Sequence, residues 1–443
     1  MELKKYKLGD IAKIEISGVD KKSVDGETPV RLCNFVDVYR NWAITQKLSE
    51  NFMIASAKET EIAKCSIHKG KVAITKDSET RDDIGIPAYI ADDFDNVLLG
   101  YHCALITPND DVLDGKYLNA FMHTRYIQKY FENNASGSGQ RYTLSNETIF
   151  QIPILLPSLE VQKAIGNLLS NIDRKIELNR QINDNLEKMA KQLYDYWFVQ
   201  FDFPNENGRP YKSSGGAMVW NEKLKREIPK EWDNCTLEYY LIIKNGRDHK
   251  HLGNGIYPVY GSGGEIRKVD SFIYSGESIL MPRKGSLNNI MYVNDAFWSV
   301  DTMFYSEMKQ PHCAKYVFYS IKDIDFTRWD SGTGVPSMTS STLYSILLVK
   351  PDADSLAKFD EIITPLFLMI KKNEMQIVEL TKQRDDLLPL LMNGQASVNY
   401  HLAHSLATFS ILYRHKPKDI ENEKNSYTHR CGWNGNHFIQ RAA

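Results

Sequence analysis

The chain has 443 residues, with 54 Lys and Arg against 56 Asp and Glu for a net charge of -2, 42% hydrophobic residues and a mean hydropathy of -0.41. At roughly 100 to 200 residues per domain this predicts two to four domains, each with its own core, and excludes both a disordered chain and a single small module. The near-neutral charge excludes a protein that holds nucleic acid by bulk electrostatics, so any DNA contact has to come from local patches or from a partner's surface.

Residues 1–158 carry short β-branched and aromatic runs, among them KVAIT, IPAYI and YHCALIT, separated by Gly, Asn, Asp and Lys clusters. Such runs predict a mixed, mainly β domain, with a helix over GKYLNAFMHTRYIQKYFEN. Over 159–200, Ile165, Ile172, Asn179, Leu186 and Leu193 recur every seven residues, which predicts a long helix with a coiled-coil seam. Residues 201–229, beginning FDFPNENGRPYKSSGG, are rich in Pro, Gly, Ser and Asn and read as a linker without a core. A second mainly β domain is expected over 230–352, from runs such as YPVY, SILMP, NIMYV and FWSVDTMFY, with a helix over AKYVFYSIKD. Over 353–398, Phe359, Leu366, Asn373, Leu380 and Leu387 repeat the heptad. Residues 399–443 form a histidine-rich extension with no assigned role.

The two halves are copies of one another. SGSGQRYTLSNETIFQIPILLP, from Ser136, matches SGTGVPSMTSSTLYSILLVKP, from Ser331, and from Leu144 and Met338 onward the offset holds at 194 through the helices. LGDI at Leu8 finds its counterpart near Leu237. The expected fold is therefore α+β: two mixed, mainly β domains separated by two long helices that pair as an antiparallel coiled coil, with pseudo-twofold symmetry. Ile172, Asn179, Leu186 and Leu193 on one helix and Leu366, Asn373, Leu380 and Leu387 on the other are expected to set its register, with the asparagines either lowering stability while fixing alignment or standing at the seam's edge facing solvent. A helix of about 34 residues would be roughly 50 Å long, so the pair would carry one β domain at each end.

Six isolated cysteines without a CxxC signal neither a disulfide framework nor a thiolate zinc site, which fits a reducing cytoplasm. No run reaches the roughly 18 apolar residues of a membrane span, and none resembles a secretory signal. There is no GxxxxGK[ST] loop and no methyltransferase-type glycine loop or Asn-Pro-Pro-aromatic tetrapeptide, so neither ATP nor a methyl donor is expected on this chain. No metal is expected either: Asp301 with Glu307 and Lys309, or His429 with Cys431 and His437, lack a recognised ligand spacing.

LGDI at Leu8, the run PILLPSLEVQKAIGNLLSNIDRKIELNRQINDNLEKMAKQLYDYWF, the stretch FDFPNENGRPYKSSGGAMV, the segment YGSGGEIRKVDSFIYSGESILMPRKGS and LTKQRDDLLPLLMNGQ together resemble the specificity subunits of type I restriction-modification systems, over about residues 1 to 398. The resemblance implies a non-catalytic DNA-recognition subunit in which each recognition domain reads one half of a bipartite, asymmetric site. It also implies that the helices set the spacer and dock two methyltransferase subunits, that restriction and translocase subunits join for cleavage, and that methyl donor, ATP and Mg sit on those partners. The alternative from residues alone is a duplicated β-domain module on a coiled-coil stalk that binds protein or carbohydrate.

Candidate DNA-binding residues follow from the basic loops. In the first domain these are Lys69, Lys71, Lys76 and Arg81 in HKGKVAITKDSETRDD, and Gln140, Arg141 and Tyr142 in SGSGQRY. In the second they are Arg247, His249 and Lys250, then Tyr260, Ser262, Arg267 and Lys268 in YGSGGEIRK, and Arg283 and Lys284 in MPRKGS. Arg and Gln are capable base readers, whereas Lys more often contacts phosphate. The glycines in these loops serve equally well as plain turn residues, and the basic loops as solvated surface. Tyr101 to Cys103 and Pro311 to Cys313, which resemble each other weakly, read as core.

Overall fold

The computed structural model describes residues 3–139, 141–329, 336–398 and 412–413. The chain divides into two compact units, one of residues 1–170 with 385–443 and one of residues 171–384.

The first unit is built on a five-stranded sheet in the order Ala12–Ile16, Cys103–Pro108, Val72–Thr75, Pro87–Ile90, Ala43–Ile44. Val72–Thr75 and Pro87–Ile90 are buried at every position, which is why they read as unbroken apolar runs rather than as alternating ones. Helices Gly115–Met122 and Arg125–Asn134 supply the expected helical part. Thr28–Cys33, Met53–Ala57 and Val97–Leu99 form a smaller sheet. Cys33, Ile44, Ala73, Ala88, Leu99 and Leu105 lie in the core between these layers.

In the second unit a six-stranded sheet runs Leu241–Asn245, Met303–Met308, Tyr274–Pro282, Met291–Ser299, Asn254–Gly261, Gly264–Val269. Helix Ala314–Lys322 covers it. The internal repeat is explicit in the backbone. Lys4–Lys7 pairs with Pro153–Leu156, and Asp233–Thr236 pairs with Leu347–Lys350. Leu8 N donates to the Ile152 carbonyl at 2.9 Å, and Leu237 N to the Ile346 carbonyl at 2.8 Å.

Two long helices follow the repeated strands: α1, Leu159–Tyr194, which ends in a π turn over Asp195–Val199, and α2, Ala353–Met392. Within the second unit they pair antiparallel, since Arg384 reaches Asp173, Gln376 reaches Asn179 and Asn373 reaches Asn183, so the numbering rises along one helix as it falls along the other.

The stretch 201–229, expected as a linker without a core, differs from that expectation. Phe201, Phe203 and Ile228 are buried in the second unit's core, with Phe203 stacked 4.5 Å from the Trp232 ring, and Met218–Asn221 forms a hairpin with Arg226–Pro229. Asp202 accepts from the Ser213 amide at 2.7 Å and from its hydroxyl at 2.6 Å. Polar, turn-rich composition concealed the few aromatic anchors that hold this segment down.

Candidate nucleic-acid interface

In the first unit the strand Val72–Thr75 runs out into Lys76 and Asp77, and the backbone fixes that exit. Lys76 N donates to the His102 carbonyl at 2.7 Å, and Leu144 N donates to the Lys76 carbonyl at 2.9 Å. Asp77–Ser78, Arg141–Thr143 and Ser136–Ser138 form a three-stranded sheet that carries Arg141 and Tyr142 to the same edge. His102 Nδ1 is hydrogen-bonded to Asp77. Arg141 Nη2 lies 3.2 Å from Asp77 Oδ2 and 3.0 Å from His102 Nε2. Arg141 Nη2 also lies 2.5 Å from His102 Nδ1, so the guanidinium abuts both ring nitrogens while the Asp77 carboxylate, which only accepts, takes contacts from both residues. Burial pushes the Asp77 carboxyl up, but hydrogen bonds from Thr143 and His102 and the Arg141 charge outweigh it and hold the group below the usual carboxylate range.

His102 adopts the left-handed region at φ 69°, which is uncommon for a residue with a side chain. Next to this edge, Phe35, Tyr39, Glu79, Thr80 and Asp83 line a cleft of about 520 Å³ together with Asp77, His102 and Arg141. The Arg81 guanidinium sits 5.0 Å over the Tyr142 ring.

The structure thus brings Lys76, Arg81, Arg141 and Tyr142 to one edge, while Gln140 lies outside the described residues. Lys69 and Lys71 belong to the other end of the strand, roughly 16 Å away at 3.3 Å per residue. There the Lys71 ammonium is half-buried and donates to the Ser66 carbonyl at 3.1 Å, and burial lowers its pKa. Sequence reading placed His102 in the core; Cys103 is fully buried, but His102 points to the edge. Its neighbour's burial was legible, and its partners, 25 and 39 residues away, were not.

The second unit repeats the frame with other side chains. Arg283 N donates to the Thr302 carbonyl at 2.9 Å, and Met338 N to the Arg283 carbonyl at 2.9 Å, so Arg283 stands where Lys76 stands and Lys284 where Asp77 stands. Arg283 and Lys284 are exposed, the former 6.0 Å from the Phe304 ring centre. A second basic cluster holds Arg247, His249, Lys250 and Arg267. Here Arg267 donates to His249 Nδ1 at 3.1 Å and to the His249 and Leu252 carbonyls at 2.6 and 3.0 Å, which makes it the brace of its own loop, while Arg247 and Lys250 are exposed. Ser262 accepts from Asn289 through its carbonyl at 2.8 Å, and Lys268 is an exposed strand residue. Tyr260 lines a cavity of about 340 Å³ with Tyr292, Phe318 and Phe367, and its hydroxyl pKa is pushed up to about 12, first by burial.

On the paired helices, Ile172, Leu186 and Leu387 are buried, and Asn179, Leu193, Leu366, Asn373 and Leu380 are half-buried. Asn179 and Asn373 do not meet. Asn373 donates to Asn183 Oδ1 at 2.8 Å, buried Asn183 donates to the Ile370 carbonyl at 3.3 Å, and Asn179 donates to Gln376 at 3.3 Å. Asp173, half-buried beside Arg384 at 3.4 Å, has its pKa raised to about 6 because desolvation outweighs the Arg384 and Arg180 charges. Leu178, Ile182 and Met189 on α1 and Leu368, Met375 and Val378 on α2 remain exposed, between 43% and 66%. Sequence reading also missed Lys315, which is buried and bonded to Glu277 at 2.7 Å and to Asp360 at 2.8 Å, linking the second sheet to α2.

No helix among the described residues is long and apolar enough to cross a membrane. Residues 1–188 match the model of the type I restriction modification DNA specificity domain. The MjaIX specificity subunit of Methanocaldococcus jannaschii, a type I restriction enzyme component, is 26% identical over 77% of this chain and 81% of its own length. The HindI specificity subunit of Haemophilus influenzae is 31% identical over 32% of this chain and 30% of its own. Among solved structures, the S subunit of a type I restriction-modification system from M. genitalium superposes with a TM-score of 0.58 at 16% identity, covering 88% of this chain and 96% of that one, a likeness of fold. Residues 1–188 thus match a type I restriction modification DNA specificity domain, and the chain as a whole, with its duplicated β domains and paired helices, is similar to the specificity subunits of type I restriction-modification systems.

Proposed function

We propose that this chain supplies sequence choice to a type I restriction-modification complex, each recognition domain reading one half of a bipartite, asymmetric site in double-stranded DNA. The observation that carries the reading is one backbone frame built twice, with Lys76 and Asp77 at the edge of one copy and Arg283 and Lys284 at the edge of the other. A shared frame with different side chains is what two unlike half-sites require, because phosphate contacts position a protein while base-edge contacts specify sequence.

The paired helices set the spacer, and their exposed apolar residues favour docking of two methyltransferase subunits. Restriction and translocase subunits join for cleavage. This chain carries no catalytic step. Methyl donor, ATP and Mg belong to the partners, which also complete the basic clamp that a net charge of -2 cannot form alone. Such a complex works in the cytoplasm.

Exchanging residues 1–158 for the corresponding part of a relative tests the assignment. One half of the methylated motif is expected to change and the other to stay; a change in both halves, or in neither, overturns it. Irradiation with labelled methyl donor is expected to label the methyltransferase and leave this chain unlabelled, and label on this chain alone contradicts the non-catalytic role.

A further inference from the structure

Arg141 stands in unusual electrostatic company for a DNA contact. Asp77 and His102 hold one side of its guanidinium, and the adjoining cleft carries Glu79 and Asp83 as well. Three carboxylates beside one arginine disfavour a phosphate there, since each repels it at short range. They weigh far less against an uncharged base edge. Guanine offers O6 and N7 to an arginine fork, and the amino group of its paired cytosine is a donor that a carboxylate accepts.

The arginine is also pre-oriented. The Arg141 side chain is 58% exposed, yet Nη2 is held 3.2 Å from Asp77 and 2.5 and 3.0 Å from the two His102 ring nitrogens, so an exposed guanidinium is anchored through one of its nitrogens. Pre-organisation of this kind reduces the rotamer entropy lost on contact. His102 is itself held in the left-handed region, with its carbonyl engaged by Lys76 N. A strained conformation persists where its surroundings over-determine it, and such strain gathers at functional edges. The second domain keeps the frame but has Lys284 and Thr302 where the first has Asp77 and His102, so the brace has no copy there.

We propose that Arg141 is a guanine-reading specificity determinant of the first half-site and that His102 and Asp77 are its positioning residues. The proposal rests on the DNA-recognition reading above, and the two fail differently. A wild-type complex that yields no methylated motif defeats that reading, whereas a wild-type motif that is unchanged in the variants defeats only this proposal.

The experiment compares methylomes of cells carrying the cognate methyltransferase with wild-type chain, Arg141→Ala or His102→Ala. Loss of one bidentate base contact is expected to lower discrimination by about 10- to 100-fold at a single base pair of the first half-site, with the second half-site and the spacer unchanged. His102→Ala is expected to relax the same base pair, more weakly, which a general packing role would not do. Evenly reduced methylation of an unchanged motif identifies Arg141 as a phosphate contact and overturns the proposal, as does relaxation at unrelated positions. If Arg141→Ala does not assemble with the methyltransferase, Arg141→Gln, which keeps length and a donor, is read by the same criteria.

Discussion

Lys315 offers a quantitative test of how the second recognition domain is fastened to α2. Its side chain is only 4% exposed and its ammonium meets Glu277 at 2.7 Å and Asp360 at 2.8 Å, the first on the sheet strand Tyr274–Pro282 and the second on the helix. Lys315→Met keeps the length and removes the charge, leaving two carboxylates facing each other. Breaking a buried pair from one side costs about 3–5 kcal/mol. The lower end applies here. Asp360 keeps His312 at 2.9 Å and Thr364 at 3.2 Å, and Glu277 keeps the Tyr292 hydroxyl and is 32% exposed. At a urea dependence of about 1–3 kcal/mol per molar, a loss of about 3 kcal/mol lowers the unfolding midpoint by about 1 M or more. Buried Trp197 and Trp232 lie in the same unit and report the transition by fluorescence.

Adding Glu277→Gln and Asp360→Asn to Lys315→Met should recover most of the loss, because the penalty lies in uncompensated charge rather than in missing contacts. The pH dependence has a definite sign. Burial pushes Asp360 up, but hydrogen bonds from Lys315 and His312 outweigh it and leave the carboxyl below its ordinary value of 3.8. Its stabilising contribution is therefore present above about pH 4 and lost as the pH falls through the folded-state value. The difference between wild type and Lys315→Met should narrow over that acid range. A midpoint unmoved by Lys315→Met, or a triple variant no better than the single one, refutes the buried network as the fastening.

Asp173 works in the opposite sense: a folded-state pKa raised from 3.8 to about 6 means stability that is full at low pH and lost as the pH rises through 6, about 3 kcal/mol by linkage. Asp173→Asn should flatten the stability profile between pH 4 and 7, and a profile identical to wild type contradicts the assignment. Phe203→Ala should destabilise the second unit by about 3–5 kcal/mol in urea melts through the cavity left against Trp232; a change below about 0.5 kcal/mol would mean the segment is a plain linker. Deleting one heptad from each of α1 and α2 shortens the pair by about 10 Å, so the methylated motif should lose about three base pairs of spacer while both half-sites persist. An unchanged spacer would mean that the helices do not set it.

Much of this architecture was legible in the sequence because it is periodic or duplicated. Heptads from Ile165 and Phe359 give the helices, apolar runs such as KVAIT give the buried strands, and the offset of 194 gives the second copy. What escaped depends on long-range pairing of single polar residues. Asn183, four residues after Asn179, falls on the heptad stripe but is polar, so nothing in its spacing marks it as the buried partner of Asn373. Lys315 lies in a helix that reads as amphipathic, and its partners are 38 and 45 residues away. His102 looked like core because Cys103 is core. The equivalence of Lys76 with Arg283 lies upstream of the ungapped match, where insertions destroyed the offset but not the hydrogen-bonded frame.

Genome-wide mapping of adenine methylation, in a host expressing this chain with its cognate methyltransferase subunit, bears most directly on the central claim. A split motif present with the chain and absent without it is the expected result. No new motif, although the methyltransferase co-purifies with the chain, would contradict the assignment of sequence choice to these two domains.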